Sequence, residues 1–537
     1  MPPDDLSATT AARPVDDSLS ALAPLRHPVF RMLWITWMAA NTTMWMNDVA
    51  GAWLMTSLAP TPLWVALVQS ASTLPVFLLG LPSGALADIL DRRRYFMTTQ
   101  FWVAGTSSII CLTVFMGWMT APLLLALTFA NGIGLAMRWP VFAAIVPELV
   151  PRPQLPAALA LNGVAMNTSR IIGPLMAGAI IAAAGSAWVF LLNAVLSLTA
   201  GFVIMQWRRE HKESPLGRER LGSAIRVGVQ FVRQSGRMRA VLVRIALFFF
   251  HSTALLALLP LIAQSLPGGQ AGTFTALLAS MGAGAIIAAL QMPQIRKLMP
   301  LQSLILLGTV LQAAAAAIVA FAPNIYLAIP GMMLGGVAWL SVANSLTVSA
   351  QMALPDWVRA RGMSIYQMAL MGSSAAGAAV WGLIATWTNI HDSVAIAALS
   401  SVFLMFVAQR VVKDREIEED LTPSRVFKAP QADAPPLAHR IQVNIEYRID
   451  PARAEEFLQL MQESRRSRIS QGAIDWQVLQ DLYDPGRIVE QVTDQSWTEH
   501  LRRFDRVTAT DVQLRDRKLA FHIAEHPPVV TRFVVQR

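Results

Sequence analysis

Charge is scarce in this chain. Of 537 residues only 14% are Asp, Glu, Lys or Arg, against about 25% in a typical soluble domain. Charged side chains are costly in hydrocarbon, so long stretches that avoid them are suited to a bilayer. Cysteine is nearly missing as well. The single Cys111 lies in an apolar run, which excludes an intrachain disulfide and reads as a small core residue. The first residues, with Asp4, Asp5, Asp16 and Asp17, are acidic and polar, unlike a cleaved signal peptide.

What is present is apolar length. Hydrophobic residues make up 54% of the chain and mean hydropathy is +0.46. A spanning helix needs about 20 mostly apolar residues, and several charge-poor runs hold two helices and a turn. Breaks fall at Pro60-Thr61-Pro62, Thr120-Ala121-Pro122, Gly185, Pro267-Gly268-Gly269, Pro323-Asn324 and near Asn389, His391 and Asp392. With the first span opening near Phe30, the reading is an all-α membrane protein of twelve transmembrane helices. In the loops, Lys and Arg occupy every second one, with Arg92 to Arg94, Arg152, Arg208, Arg209, Arg296, Lys297, Arg359, Arg361, and the flank with Arg410 and Lys413, and the intervening turns contain none. By the positive-inside rule those loops and both termini are cytoplasmic. This also accounts for the formal charge of +9 without nucleic acid as a partner.

The expected organisation is a polar cytoplasmic N-terminus (1–28), a six-helix half (29–207), a cytoplasmic central loop (208–238), a second six-helix half (239–412), a linker (413–437) and a soluble cytoplasmic domain (438–537). In the central loop, Leu221, Ile225, Val229 and Val232 recur at helical spacing between Arg226 and Arg233. That pattern fits a helix lying on the membrane surface, or one packed on the protein. Two six-helix halves around such a loop imply a rocker-switch transporter.

The loop Gly84-Ala-Leu-Ala-Asp88-Ile-Leu-Asp91-Arg92-Arg93-Arg94 resembles the signature loop of the major facilitator superfamily, departing from its general pattern at Ile89 and Asp91. Gly84, Asp88, Asp91, Arg92 and Arg93 would form its conformational-switch loop. Asp88 would face a positive group or helix N-terminus of the other half, and the arginines would pair across the seam. With Ile145-Val-Pro-Glu148-Leu-Val-Pro-Arg152 and Leu354-Pro-Asp356-Trp357-Val-Arg359-Ala-Arg361-Gly, this loop is similar to the enterobactin-exporter-like branch, the transmembrane secretion effectors. The resemblance covers roughly 24–413 and implies export of a small organic molecule such as a siderophore or antibiotic. Gly173-Pro174-x-x-Ala177-Gly178 resembles the end of the antiporter motif, with Gly173 and Pro174 as a helix kink at a moving seam, or a kink with no transport role.

Asp48, Arg138 and Arg170 are the formal charges well inside the spans, with His251 a fourth candidate. Intramembrane ionisable groups face the bundle interior and mark function. Asp48 lies about 27 Å along its helix from Phe30 at 1.5 Å per residue. It reads either as a proton-coupling carboxylate tuned by Arg170 or Arg138, or as half of a permanent ion pair. The superfamily arrangement puts Asn41, Trp45, Asn47, Gln69, His251, Asn344 and Gln367 in spans lining a central cavity, with Met44 and Met46 adding adaptability.

Beyond Val411 the composition turns polar. Strand, helix, two strands joined at Asp484-Pro485-Gly486, helix (Trp497 to Arg517) and strand (Val529 to Val535) give a β-α-β-β-α-β order, an α+β ferredoxin-like domain. Ser496-Trp497-Thr-Glu499-His500-Leu with Arg506 resembles the antibiotic-biosynthesis-monooxygenase type of dimeric α/β-barrel domain, which implies homodimerisation or, alternatively, oxygenase chemistry.

The whole reads as a secondary active exporter in the bacterial inner membrane, with the lipid bilayer, a small molecule and protons as partners. The alternatives are an uptake permease and a membrane-tethered enzyme acting through its tail. No Gly-x-x-x-x-Gly-Lys-(Ser/Thr) loop is present, which argues against an ATP-driven pump. No catalytic residue, cofactor or metal is expected.

Overall fold

A computed structural model describes residues 22–536 except 60, 208–220, 413–419, 425, 427–429 and 431–438. Most of the N-terminal stretch, the start of the central loop, most of the linker and the Asp88 side chain therefore lie outside the described residues.

The first half comprises α1 (Pro28–Leu58), α2 (Pro62–Ile89), α3 (Arg92–Phe115), α4 (Ala121–Leu149), α5 (Leu155–Ala184) and α6 (Ser186–Gln206). A short helix, α7 (Leu221–Gln234), leads to the second half: α8 (Gly236–Ser265), α9 (Ala271–Leu298), α10 (Leu301–Ala320), α11 (Ile325–Met352), α12 (Arg359–Trp387) and α13 (Ile390–Val411). The breaks sit where backbone chemistry demands them. Gly185 and Gly268 take φ of +93° and +73° between helices, a region costly for side chains. Asn324 and Asn389 cap α11 and α13 by accepting from Leu327 N (3.2 Å) and Asp392 N (2.8 Å).

Among the described residues, eleven helices are long and apolar enough to cross a membrane. The helix missing from that set is α1, whose Asn41, Thr42, Thr43, Asn47 and Asp48 dilute its hydropathy. The expected twelve thus stands at eleven by length and composition.

The halves meet along α2 and α12, α5 and α9, and α1 and α8. Ser70 Oγ donates to Ala375 O (2.7 Å), Leu63 N to Thr386 Oγ1 (3.2 Å) and Gln264 Nε2 to Thr56 Oγ1 (2.7 Å), each across the seam. Only glycine fits at position 178, where any Cβ would overlap the Thr275 side chain on α9.

The buried apolar residues are distributed unequally between the two ends of the bundle. At the end away from the tail one cluster contains residues of both halves, including Met55, Val65, Phe190, Leu258, Phe274 and Met332. At the tail end each half has its own. Phe30, Trp37, Phe96, Phe142 and Ile204 belong to the first half, and Phe248, Ile305, Val342, Leu354 and Met405 to the second.

The tail carries β1 (Ile441–Arg448), α14 (Ala454–Ser470), β2 (Asp475–Gln480), β3 (Arg487–Asp494), α15 (Trp497–Phe504), α16 (Ala509–Leu519) and β4 (Val529–Val534). Its sheet is antiparallel in the order β2-β3-β1-β4. The single helix expected from Trp497 to Arg517 is two. Thr508 and Asp511 form a capping box that starts α16 afresh. Under the sheet, Glu490 is fully buried and accepts from Ser464 Oγ (2.7 Å), Trp476 Nε1 (3.1 Å), Arg468 Nε (3.2 Å) and Lys518 Nζ (3.1 Å). Burial pushes its pKa up, and the Arg468 and Lys518 charges overcome this, holding it well below the usual carboxylate range.

The central-loop helix packs on the protein. α7 buries Val227, Phe231 and Val232 and contacts α2, α8, α12 and α14, so it touches both halves and the tail. Arg226 donates to Gly472 O (3.1 Å) and Gln495 Oε1 (2.9 Å), and Gln230 to Ala473 O (3.2 Å). Beside it the Arg506 guanidinium lies 5.3 Å over the ring of Trp357, which stands edge-on to Phe231 at 5.7 Å.

Candidate transport site

The three charges inside the bundle occupy separate settings. Asp48, on α1, accepts from Ser72 Oγ of α2 at 2.8 Å. No arginine lies within ion-pair distance of it among the described residues, so neither the permanent pair nor tuning by a touching Arg138 or Arg170 is formed. Arg138, on α4, is buried against α1. It donates to Ala40 O (3.3 Å), approaches Met44 Sδ (3.9 Å) and stands 5.5 Å over Trp37, which stacks on Phe142 at 3.9 Å.

Arg170, on α5, sits between halves. Its guanidinium lies 4.2 Å over Trp339 of α11 and 5.9 Å from the ring of Trp45 on α1. Local packing fixes this placement. Ser169 Oγ donates to Met38 O (3.1 Å) and accepts from Thr42 Oγ1 (3.0 Å). One turn on, a Cβ at Gly173 would come within 2.6 Å of Trp45 Cβ and 2.9 Å of Thr42 O, so a bare backbone is needed for α1 to come this close. The helix runs on through Pro174.

The polar candidates divide. Trp45 joins Arg170. Asn47 turns instead into the first half, accepting from Asn193 Nδ2 (3.4 Å), which also bonds Ser107 Oγ (2.9 Å). Asn41 is buried and bonds Trp37 O of its own helix (2.8 Å), while Asn344 accepts from Arg296 Nη2 (3.2 Å). Gln69 and Gln367 are half-buried on α2 and α12, the helices of the main seam. His251 bonds Leu247 O (2.7 Å), tilts against Trp381 and lines a small cavity inside the second half with Ser252, Thr309 and Gln312.

In the α2–α3 loop, Asp91 caps α3 by accepting from Arg94 N at 2.8 Å. Arg93 donates to Ile204 O (3.4 Å) and Met205 O at the end of α6, within its own half, where pairing across the seam was expected. Gly84 lies in the last turns of α2 and Arg92 opens α3.

Sequence reading did not single out Trp339 or Ser72. Each is an ordinary residue of an apolar span until the fold sets it beside a distant charge.

Solved structures share this architecture. A POT family transporter in complex with 5-aminolevulinic acid superposes with a TM-score of 0.59 at 12% identity, covering 71% of this chain and 95% of that one. The nucleoside transporter NupG does so with 0.57 at 13%, covering 72% and 99%. The fold is therefore one that these solved transporters share. The chain belongs to the transmembrane secretion effector family, which it matches over residues 19–537, tail included. It is 22% identical over 366 residues to the staphyloferrin A transporter of Staphylococcus aureus (strain NCTC 8325 / PS 47), spanning 68% of this chain and 91% of that protein. It is 23% identical over 243 residues to macrolide efflux protein A of Streptococcus pyogenes, spanning 44% and 58%.

Proposed function

We propose that this chain is a secondary active exporter of a small organic molecule that works by alternating access in the bacterial inner membrane. In this reading α1 is the twelfth span and both termini are cytoplasmic. The observation that carries it is the unequal packing of the two ends. A transporter that rocks about a central site must seal one mouth while the other parts. Here the halves share an apolar cluster at the end away from the tail and keep separate clusters at the tail end. Export, rather than uptake, is supported by family membership and by relatives named for staphyloferrin A transport and macrolide efflux.

Asp48 is the proton-coupling carboxylate of this proposal. It is an acidic group within a span, held by a hydroxyl and, among the described residues, by no cation, so losing or gaining a proton changes its local charge outright. The loop containing Gly84, Asp88, Asp91, Arg92 and Arg93 serves as the switch at the tail-side mouth. The tail is a ferredoxin-like domain, supported by its strand order, and offers an open sheet face for homodimerisation.

The test is dye and drug accumulation in cells expressing the chain, with and without a proton uncoupler. Lower accumulation that the uncoupler abolishes is expected. Raised accumulation, or indifference to the uncoupler, would sink the proton-driven exporter.

A further inference from the structure

Among the described residues the cation on Arg170 has no counter-charge. Its Nε is buried without a hydrogen bond, and no carboxylate of the described residues pairs with it. What surrounds it is aromatic: Trp339 at 4.2 Å and Trp45 at 5.9 Å. A guanidinium carries five N–H donors and no acceptor. Arg170 as a whole is half-buried, so beyond Nε its N–H donors remain open to a ligand, while the cation–π contacts return only about 0.5–2 kcal/mol each. The other cation at this depth is differently placed, since Arg138 is committed to Ala40 O, Met44 Sδ and Trp37. The carboxylate on α1, Asp48, is bonded to Ser72 of α2.

We infer that Arg170 is a seat for the anionic group of the transported molecule, which is an organic carboxylate carrying a planar or apolar body. The fork of the guanidinium matches a carboxylate with two parallel hydrogen bonds, and the indoles of Trp45 and Trp339 flank the body. Because Arg170 and Trp45 belong to the first half and Trp339 to the second, an anion seated there also replaces a contact made between the halves. Cationic amphiphiles are disfavoured by the same charge. The inference rests on reading the chain as a transporter and narrows its substrate class.

The experiment is calorimetric titration of the detergent-purified full chain with three probes of one skeleton: 2-naphthoate, 2-naphthamide and 2-naphthylmethylammonium. The expected result is a dissociation constant at least tenfold lower for naphthoate than for the amide, with the ammonium weakest. Arg170→Gln removes the naphthoate advantage while amide binding is retained, which shows the fold intact, and Arg170→Lys keeps part of the advantage. Equal constants for the three probes, no binding by any of them, or an undiminished preference in Arg170→Gln would overturn the assignment. Binding is read without transport, so a missing preference removes the anion seat alone. A failed efflux assay with the preference intact removes the exporter reading alone.

Discussion

At the end of the bundle away from the tail, side chains from both halves interdigitate in one cluster, with Gly178 against Thr275 and Thr56 bonded to Gln264 across the seam. At the tail end the buried clusters of the two halves are separate, with Met368 of α12 reaching Gly80 of α2 and α7 touching both halves. The same helices run through both ends, so composition does not explain the difference. The far end is joined by dispersion and close approach. At the tail end arginine contacts join α7 to the tail, through Arg226, and the tail to the second half, from Arg506 to Trp357. Close-packed seams are bistable and break as units, whereas single hydrogen bonds and cation–π contacts are each worth about 1 kcal/mol. In the proposed cycle the first end is the firm seal and the second the adjustable bridge.

The largest effect is expected at the seal. Gly178→Leu forces α5 off α9, since no Cβ fits beside Thr275. It should abolish transport and destabilise the protein by about 3 kcal/mol, the upper end for overpacking, read as a fall in thermal midpoint in detergent. An unchanged midpoint would mean the seal is looser than described.

The tail, by contrast, has an ionic interior, which acid should weaken while leaving the far end untouched. Asp494 is buried, which raises its pKa, yet Arg503 and the His500 bond bring it down to about 2. A carboxyl depressed in the folded state stabilises above its unfolded pKa of about 3.9 and loses that contribution as pH falls toward the folded value. The tail should lose about 2 kcal/mol between about pH 4 and pH 2. Pulse proteolysis of the full chain with pepsin, scored on tail fragments, measures it. Pepsin resistance that does not vary over that range would contradict it.

A smaller change is expected at Asp48. Asp48→Asn should cut uncoupler-sensitive efflux at least tenfold, about 1.4 kcal/mol, with the thermal midpoint nearly unchanged. Full efflux by this variant would remove Asp48 from coupling.

The smallest is expected at the bridge. Trp357→Ala deletes the ring under Arg506 and beside Phe231, worth about 1 kcal/mol. Hydrogen exchange in α7 and α15 should rise severalfold while the helices of the far end stay as protected as before.

Much of this was legible in order along the chain. Prolines, glycines and asparagines mark the helix breaks because their backbone needs are local, and the arginines of alternate loops mark the helix ends at the tail end of the bundle. The tail's strands and helices follow from alternation and turn residues, except that the Thr508 capping box inside an otherwise helical stretch was read through. Tertiary partners were not legible. Asn47 and Trp45 stand two residues apart on α1 and face different helices, Asn193 on α6 and Arg170 on α5. Arg93 finds the carbonyl end of α6, a partner supplied by packing alone. The pairing of Arg170 with Trp339 joins two halves that the sequence relates only through a loop.

The most direct test locks the far mouth. In a Cys111→Ala background, Thr56→Cys and Gln264→Cys place thiols where the two side chains now meet, and a short bis-methanethiosulfonate can span them. Rapid cross-linking, arrest of efflux and recovery on reduction are expected, because the seal must open once per cycle. Efflux that continues at full rate in the cross-linked protein would contradict alternating access through this mouth.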